Sequence, residues 1–232
     1  MNISDVFTLL ESNQNDRGIK HWQAMGSTGG LSSYGIGLTV LRKLAKKIGR
    51  DHQLAQALWQ TDCYDAKVIG LLIDEPKAMT EAQVEAQVED INIGMLTHIF
   101  SSCDATLPKA PFAFELANKW LDSENESRKR SAYGLIYEFS KSKSKKYSDE
   151  FFEQCLTRID NEILTQSTWV KMSMAGAIMG IGKRTKALNQ HALKIANKVG
   201  PIDFNEKDGK CDPFDVAKHL TSDYVKQKLV IK

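Results

Sequence analysis

The sequence predicts an all-α fold, a superhelical array of antiparallel helix pairs stacked as an α-solenoid. Three observations predict it. Apolar residues recur at helical rather than alternating spacing. Capping signals interrupt those stripes at short intervals. Five prolines and 15 glycines in 232 residues leave few turn formers for a sheet of many hairpins.

Taken in chain order, the first clear stripe is Leu41, Leu44, Ala45 and Ile48, with Arg42, Lys43, Lys46 and Lys47 on the opposite side. Gly49 followed by Asp51 reads as one helix ending and the next beginning. Thr80-Glu81-Ala82-Gln83 and Ser123-Glu124-Asn125-Glu126 both read as capping boxes. Phe151, Phe152, Cys155, Leu156 and Ile159 form a second stripe, and Leu188, Ala192, Ile195, Ala196 and Val199 a third. Pro76, Pro108, Pro111, Pro201 and Pro213 fall at junctions between these segments. Residues 141–150 and 202–212 read as exposed loops, and the short C-terminal LVIK does not count as a strand.

Short helices with brief connections suit a solenoid of helix pairs. An internal echo supports it. Leu54-Ala55 with Trp59, then Gly70-Leu71-Leu72-Ile73, is repeated by Leu116-Ala117 with Trp120, then Gly134-Leu135-Ile136. Gly176 through Gly182 gives a third echo. The separations are irregular, so the echo supports a HEAT-like array only loosely. With no boundary legible, residues 1–232 read as a single HEAT-like repeat domain.

Composition bounds the function. A hydrophobic fraction of 42% and a charged fraction of 26% exclude a disordered chain. With 31 Lys+Arg against 29 Asp+Glu the net charge is +2, so any electrostatic footprint must come from local clusters. No apolar run is long enough to span a bilayer, so no membrane partner is expected. The start MNISDVFTLLESNQND lacks the basic, apolar and cleavage regions of a signal peptide, so none is expected, and the cysteine usage points to a cytoplasmic protein. Cys63, Cys103, Cys155 and Cys211 form no CxxC and read as reduced, mostly structural thiols.

Three basic clusters stand out. Arg42, Lys43, Lys46, Lys47 and Arg50 form one. Arg128, Lys129 and Arg130 open a helix, with Lys141, Lys143, Lys145 and Lys146 after it. Lys183, Arg184 and Lys186 join two helices. Each is a solvated helix face or, where loops and helix starts gather on one edge, a phosphate-binding surface. Acidic residues gather elsewhere, at Asp74, Glu75, Glu81, Glu85, Glu89 and Asp90. The five histidines, at 21, 52, 98, 191 and 219, show no metal-ligand spacing, so no metal is expected. Gly35-Ile36-Gly37 follows no strand and is not a nucleotide loop, and no Cys/His pair suited to nucleophilic catalysis is legible. Gly176, Gly180 and Gly182 read as close-packing positions, and Trp22, Trp59, Trp120 and Trp169 as core. By itself the chain reads as an all-α repeat domain that binds a polyanion.

Residues 34–92 carry a resemblance. The pieces VLRKLAKKIG, DHQLAQALW and DAKVIGLLIDEPKAMTEAQ, followed by PFAFELANKWLDSENESRKRSAYGLIY and IGKRTKALNQHALKIANKVG in the same order, resemble the AlkD-like DNA alkylation repair proteins over roughly residues 5–230. The resemblance implies a HEAT-like superhelix that cradles DNA on a basic concave face and cleaves the N-glycosidic bond of cationic alkylated purines such as 7-methylguanine and 3-methyladenine. It also implies two tryptophans against sugar and lesion, an arginine on the backbone and a catalytic Asp. A developing sugar cation about 4 Å from that carboxylate gains roughly 4 kcal/mol at an effective dielectric near 20, about 10³ in rate.

The match breaks at these positions. Within DINIGMLTHIF the Trp position is Gly94 and the Asp position His98; the second Trp position is Gly176, and a frequent arginine is Met179. Arg130 keeps the helix arginine. Asp90, two turns before His98, is too far to substitute; Asp104 is the candidate substitute if the helix ends early. The resemblance then implies a monomer without cofactor that binds double-stranded DNA, damaged or branched, through Arg130, Arg128, Lys129, Lys183, Arg184, Lys46 and Lys47, with the usual excision weakened or absent. Two alternatives stay open: an active glycosylase with a relocated carboxylate, and a helical-repeat scaffold for another protein.

Overall fold

The stripes read from the sequence lie on helices. The computed structural model describes residues 1–26, 28–91, 93–204 and 212–231. In chain order the helices are α1 (Ile3–Ser12), α2 (Asp16–Ala24), α3 (Leu38–Ile48), α4 (His52–Trp59), α5 (Tyr64–Ile73), α6 (Glu81–Glu89), α7 (Gly94–Ser101), α8 (Ala113–Leu121), α9 (Glu126–Lys141), α10 (Asp149–Glu162), α11 (Thr168–Ile181), α12 (Lys186–Val199), α13 (Val216–Leu220) and α14 (Asp223–Leu229). Short 3₁₀ turns sit at Leu107–Lys109 and Ile163–Thr165. Among the described residues, extended pairing is limited to isolated bridges, Ser32 with Cys63 and Ile202 with Phe214. The chain divides into two compact units, Met1–Leu116 and Ala117–Lys232.

The first unit is organised around α5. Nine of its ten residues, Tyr64 to Ala66 and Val68 to Ile73, are buried, with Lys67 the exception. Helices α1, α3, α4 and α7 pack on it. Gly70 permits the approach of α4: a Cβ there would sit 2.9 Å from the Ala55 carbonyl oxygen. Asp65 is fully buried and accepts hydrogen bonds from Ser33 Oγ at 2.7 Å and from the amides of Tyr34 at 2.8 Å and Ile36 at 3.1 Å. A buried carboxylate with three donors fixes the loop before α3 rather than offering an acid or base.

The second unit centres on α11, which packs most heavily on α9, while α10 packs on α12 and α12 on α11 and α13. The predicted stripe Phe152, Cys155, Leu156, Ile159 is buried, with Phe151 half-buried beside it. Leu188, Ala192, Ile195 and Ala196 are buried on α12. Fully burying each of the Phe, Leu and Ile side chains among them contributes about 1.5–3 kcal/mol.

Caps explain the boundaries. Asp51 accepts from the Leu54 amide and starts α4, as its sequence signal predicts. Thr80 caps α6 through the Gln83 amide, but the Gln83 side chain donates to Asp74 instead of closing the box. At α9 the cap is Asn125, accepting from the Arg128 amide, and not Ser123; Ser123 Oγ accepts instead from the Asn125 amide. An unread capping box, Asn2 with Asp5, opens α1. Most of the 202–212 loop, with Cys211, lies outside the described residues.

Candidate nucleic-acid interface

In the second unit the N-termini of α9 and α11 meet. Asn125 and Ser167 cap them, and Glu126 joins them: it accepts from Ser167 Oγ at 2.9 Å and lies 3.9 Å from Arg130 Nη1. Arg130 is 8% exposed, and its guanidinium carbon stands 5.5 Å from the centre of the Trp169 ring. Burial lowers its pKa from the ordinary arginine value, opposed by Glu126; a guanidinium remains charged through such a shift. Arg128 and Lys129, on the same turn, are half-buried.

Trp169 corrects the sequence reading. Trp22, Trp59 and Trp120 are core, but Trp169 is 38% exposed. It stands seven residues, two turns, before Gly176 on the same face of α11. Gly176 is corrected too. Nothing lies within 4 Å of where its Cβ would be, so it is an opening on that face and not a packing contact. Gly180 and Gly182 are packing positions, with hypothetical Cβ atoms 2.3 Å from Ser140 Oγ and 2.7 Å from Leu220 Cδ2.

Arg184 turns inward. It donates to the carbonyl oxygens of Ser140 at 2.9 Å and Ser142 at 2.8 Å, pairs with Asp149 at 3.4 Å, and lies over the Phe152 ring at 4.4 Å. Lys183 is half-buried, its pKa lowered by burial and then by Lys228, whose ammonium donates to the Lys183 carbonyl oxygen.

In the first unit, Arg42, Lys46, Arg50 and Lys109 line an open groove of about 470 Å³ over Ala45, Gly49 and Leu72. Lys46 and Lys47 are exposed in the last turn of α3. Asp104 is the carboxylate on this groove, its side chain 72% exposed and 2.8 Å from Arg42 Nε. Arg42 Nε also donates to the Cys103 carbonyl oxygen at 3.3 Å. Arg50 donates to the carbonyl oxygens of Leu72 and Asp74.

Helix α7 does end early. Gly94 opens it, His98 is exposed within it, and the chain leaves it at Ser101. Cys103 (φ 57°) and Asp104 (φ 72°) then adopt the left-handed conformation that non-glycine residues rarely enter. That turn brings Cys103 Sγ to 3.2 Å from His98 Nε2, a Cys/His pair the sequence reading did not find. Ser102 Oγ donates to the His98 carbonyl oxygen at 2.5 Å and lies 3.7 Å from Cys103 Sγ. The other described thiols differ: Cys63 and Cys155 are buried, and burial pushes Cys155 up to about 12. Asp90 is engaged elsewhere, accepting from Trp59 Nε1 at 3.3 Å. Among the described residues no three of His, Cys, Asp and Glu gather into a metal-binding group, and no helix is long and apolar enough to cross a membrane.

The chain is similar to known proteins over most of its length. The family model described as DNA alkylation repair enzyme matches residues 6–202. The uncharacterized protein Lin0241 of Listeria innocua is 23% identical over 222 residues, covering 92% of this chain and 93% of that one. The uncharacterized protein Lmo0209 of Listeria monocytogenes is 22% identical with the same coverage. A solved structure described as "a new family of proteins related to the HEAT-like repeat DNA glycosylases with affinity for branched DNA structures" superposes with a TM-score of 0.83 at 21% identity, over 100% of this chain and 97% of that one. The all-α, HEAT-like fold read from the sequence is therefore the fold of the chain.

Proposed function

Because the chain belongs to the family of DNA alkylation repair enzymes, we propose that it is a DNA-binding member of that family that grips duplex, damaged or branched DNA on basic surface groups and does not carry out the carboxylate-driven base excision. The observation that carries this is the face of α11, where exposed Trp169 lies against the Arg130 guanidinium beside the opening at Gly176. The exposed Trp169 indole presents an aromatic surface to an unstacked base, and the Arg130 guanidinium buried against it adds positive charge behind that surface. Arg128 and Lys129 add charge on the same turn, and Lys46, Lys47 and the groove of the first unit offer a separate phosphate-binding surface. In this reading Arg184 contributes mainly by holding its loop, and half-buried Lys183 adds charge beside it.

The chemistry argues in the same direction. His98 stands where the resemblance puts the carboxylate, and a neutral imidazole supplies no Coulomb stabilisation to a sugar cation. Asp104 is already paired with Arg42 at 2.8 Å, so its charge is answered before a substrate arrives. That weighs against Asp104 as a relocated catalytic group. The proposed form is a cytoplasmic monomer that uses residues 1–232 as one repeat domain without a cofactor. A branched substrate is the first to test, since the structurally similar protein is described as having affinity for branched DNA.

The test is a titration with a branched junction and a matched linear duplex at low and high salt, run beside single-turnover release of 7-methylguanine and 3-methyladenine. Expected are binding that weakens steeply with salt, tighter binding to the junction, and no release. Base release that Asp104→Asn abolishes would make the protein an enzyme with a moved carboxylate. Absent or salt-insensitive binding would point to a protein partner.

A further inference from the structure

The groove of the first unit and the Cys103–His98 pair are neighbours in the chain and in space, and the proposed function uses only the groove. Arg42 connects them, since its Nε touches both the Asp104 carboxylate on the groove and the Cys103 carbonyl oxygen. The thiol is half-buried and has an imidazole nitrogen at 3.2 Å and a hydroxyl at 3.7 Å, while Arg42 holds the backbone of the same residue at its carbonyl oxygen. Reactive cysteines are partly exposed, and a nucleophile within reach of a base is the signature of nucleophilic chemistry. The groove is an independent observation that points to the ligand. Its four cations suit phosphate oxygens.

We propose that Cys103 is an alkyl acceptor whose substrate is an alkyl phosphotriester in DNA, with His98 as the base. The proposal rests on the DNA-binding reading above. The neighbouring anionic phosphates would lie along Lys46, Arg50 and Lys109, placing a neutral triester at the Cys103 end of the groove. His98, with its proton on Nδ1, takes the thiol proton on Nε2. The sulfur lone pair forms a bond to the alkyl carbon while the carbon–oxygen bond breaks, and that electron pair stays on the phosphate oxygen. The products are an S-alkyl cysteine, an imidazolium and an ordinary phosphodiester anion. The leaving group is a stable anion that needs no proton, and the groove cations attract the charge it gains. The carboxylate that would repel that charge, Asp104, is held by Arg42. Each protein molecule acts once, because the thioether does not leave.

The test has two probes, both with reduced full-length protein. The first is duplex carrying labelled methyl phosphotriesters; the second is trimethyl phosphate, which needs no DNA binding. The expected result is one methyl group mapped to Cys103 by peptide mass spectrometry, with buried Cys63 and Cys155 unmodified. Cys103→Ser should abolish transfer. His98→Ala should slow it about a hundredfold, the scale of general-base assistance, while junction affinity stays unchanged. Protein that binds DNA with the expected salt dependence but takes no methyl group from it overturns the acceptor assignment and leaves the DNA-binding reading standing. Failure to bind DNA, with His98-dependent methylation by trimethyl phosphate, supports the Cys103–His98 chemistry and overturns the DNA reading. No methylation of Cys103 by either probe overturns the proposal.

Discussion

Replacing Gly176 and Gly180 with alanine, one at a time, should move stability in opposite directions although the two lie one turn apart on α11. Glycine inside a helix costs roughly 0.5–1 kcal/mol relative to alanine. At Gly176 no heavy atom lies within 4 Å of the new Cβ, so alanine should stabilise by nearly that full amount. At Gly180 the Cβ would lie 2.3 Å from Ser140 Oγ and 2.7 Å from Tyr137 Cδ2. Ser140 is buried, and its hydroxyl donates to the Tyr137 carbonyl oxygen at 2.6 Å. Making room means turning that hydroxyl away and shifting the ring, and overpacking of this kind costs about 1–3 kcal/mol. Subtracting the helix gain leaves a net loss of about 1 kcal/mol, so the two variants should differ by about 2 kcal/mol. For a chain this long that is roughly 4–8 °C in Tm. Thermal melts and urea titrations of both variants measure it. A Gly180→Ala protein as stable as Gly176→Ala would refute the claim that α9 and α11 are held at glycine distance.

The other expectations concern the site and its support. Arg130→Ala should weaken junction binding and flatten the salt dependence by about one phosphate's share, a slope change near 0.9; an unchanged slope in a titration removes Arg130 from the footprint. Arg184→Gln should lower stability by about 2–3 kcal/mol, since charged hydrogen bonds to two carbonyl oxygens are lost, whereas Lys183→Gln should change it little; equal melting points would contradict the clamp. The triple variant Gly94→Trp, His98→Asp, Gly176→Trp is expected to fold, because the α11 position is open, and to release 7-methylguanine from methylated duplex. A folded triple variant that releases no base shows that the positional correspondence with the family is wrong.

Much of the fold was legible because helical stripes are local. Leu41, Leu44 and Ala45 need no distant partner to declare a face, and neither do Phe152, Cys155, Leu156 and Ile159. Caps were legible to within two residues, since Ser123 and Asn125 are both good acceptors and only the geometry chooses Asn125. The site was less legible, because its features depend on neighbours far along the chain. Gly176 and Gly180 look alike in sequence, and Ser140 and Tyr137 are what separate them. Trp169 sits among apolar residues but turns outward; its seven-residue spacing from Gly176 was the available signal. The Cys103–His98 pair requires a left-handed turn at two non-glycine residues, which no composition rule announces. Arg184 carried a correct basic signal, but its long-range bonds to Ser140 and Ser142 face inward.

Those inward bonds have a consequence for the lysine-rich connection between α9 and α10. Lys143, Lys145 and Lys146 lie on an exposed arch. Its two feet are tied together by Arg184, which donates to Ser140 and Ser142 at one end and to Tyr147 at the other, and by the Phe139 and Tyr147 rings stacked 4.5 Å apart. A free chain of lysines loses conformational entropy when it is ordered on a polyanion, and an arch fixed in advance has already lost part of it. On the DNA-binding reading, Arg184 acts on the affinity of those lysines from the feet of their arch, by deciding how much disorder binding must remove.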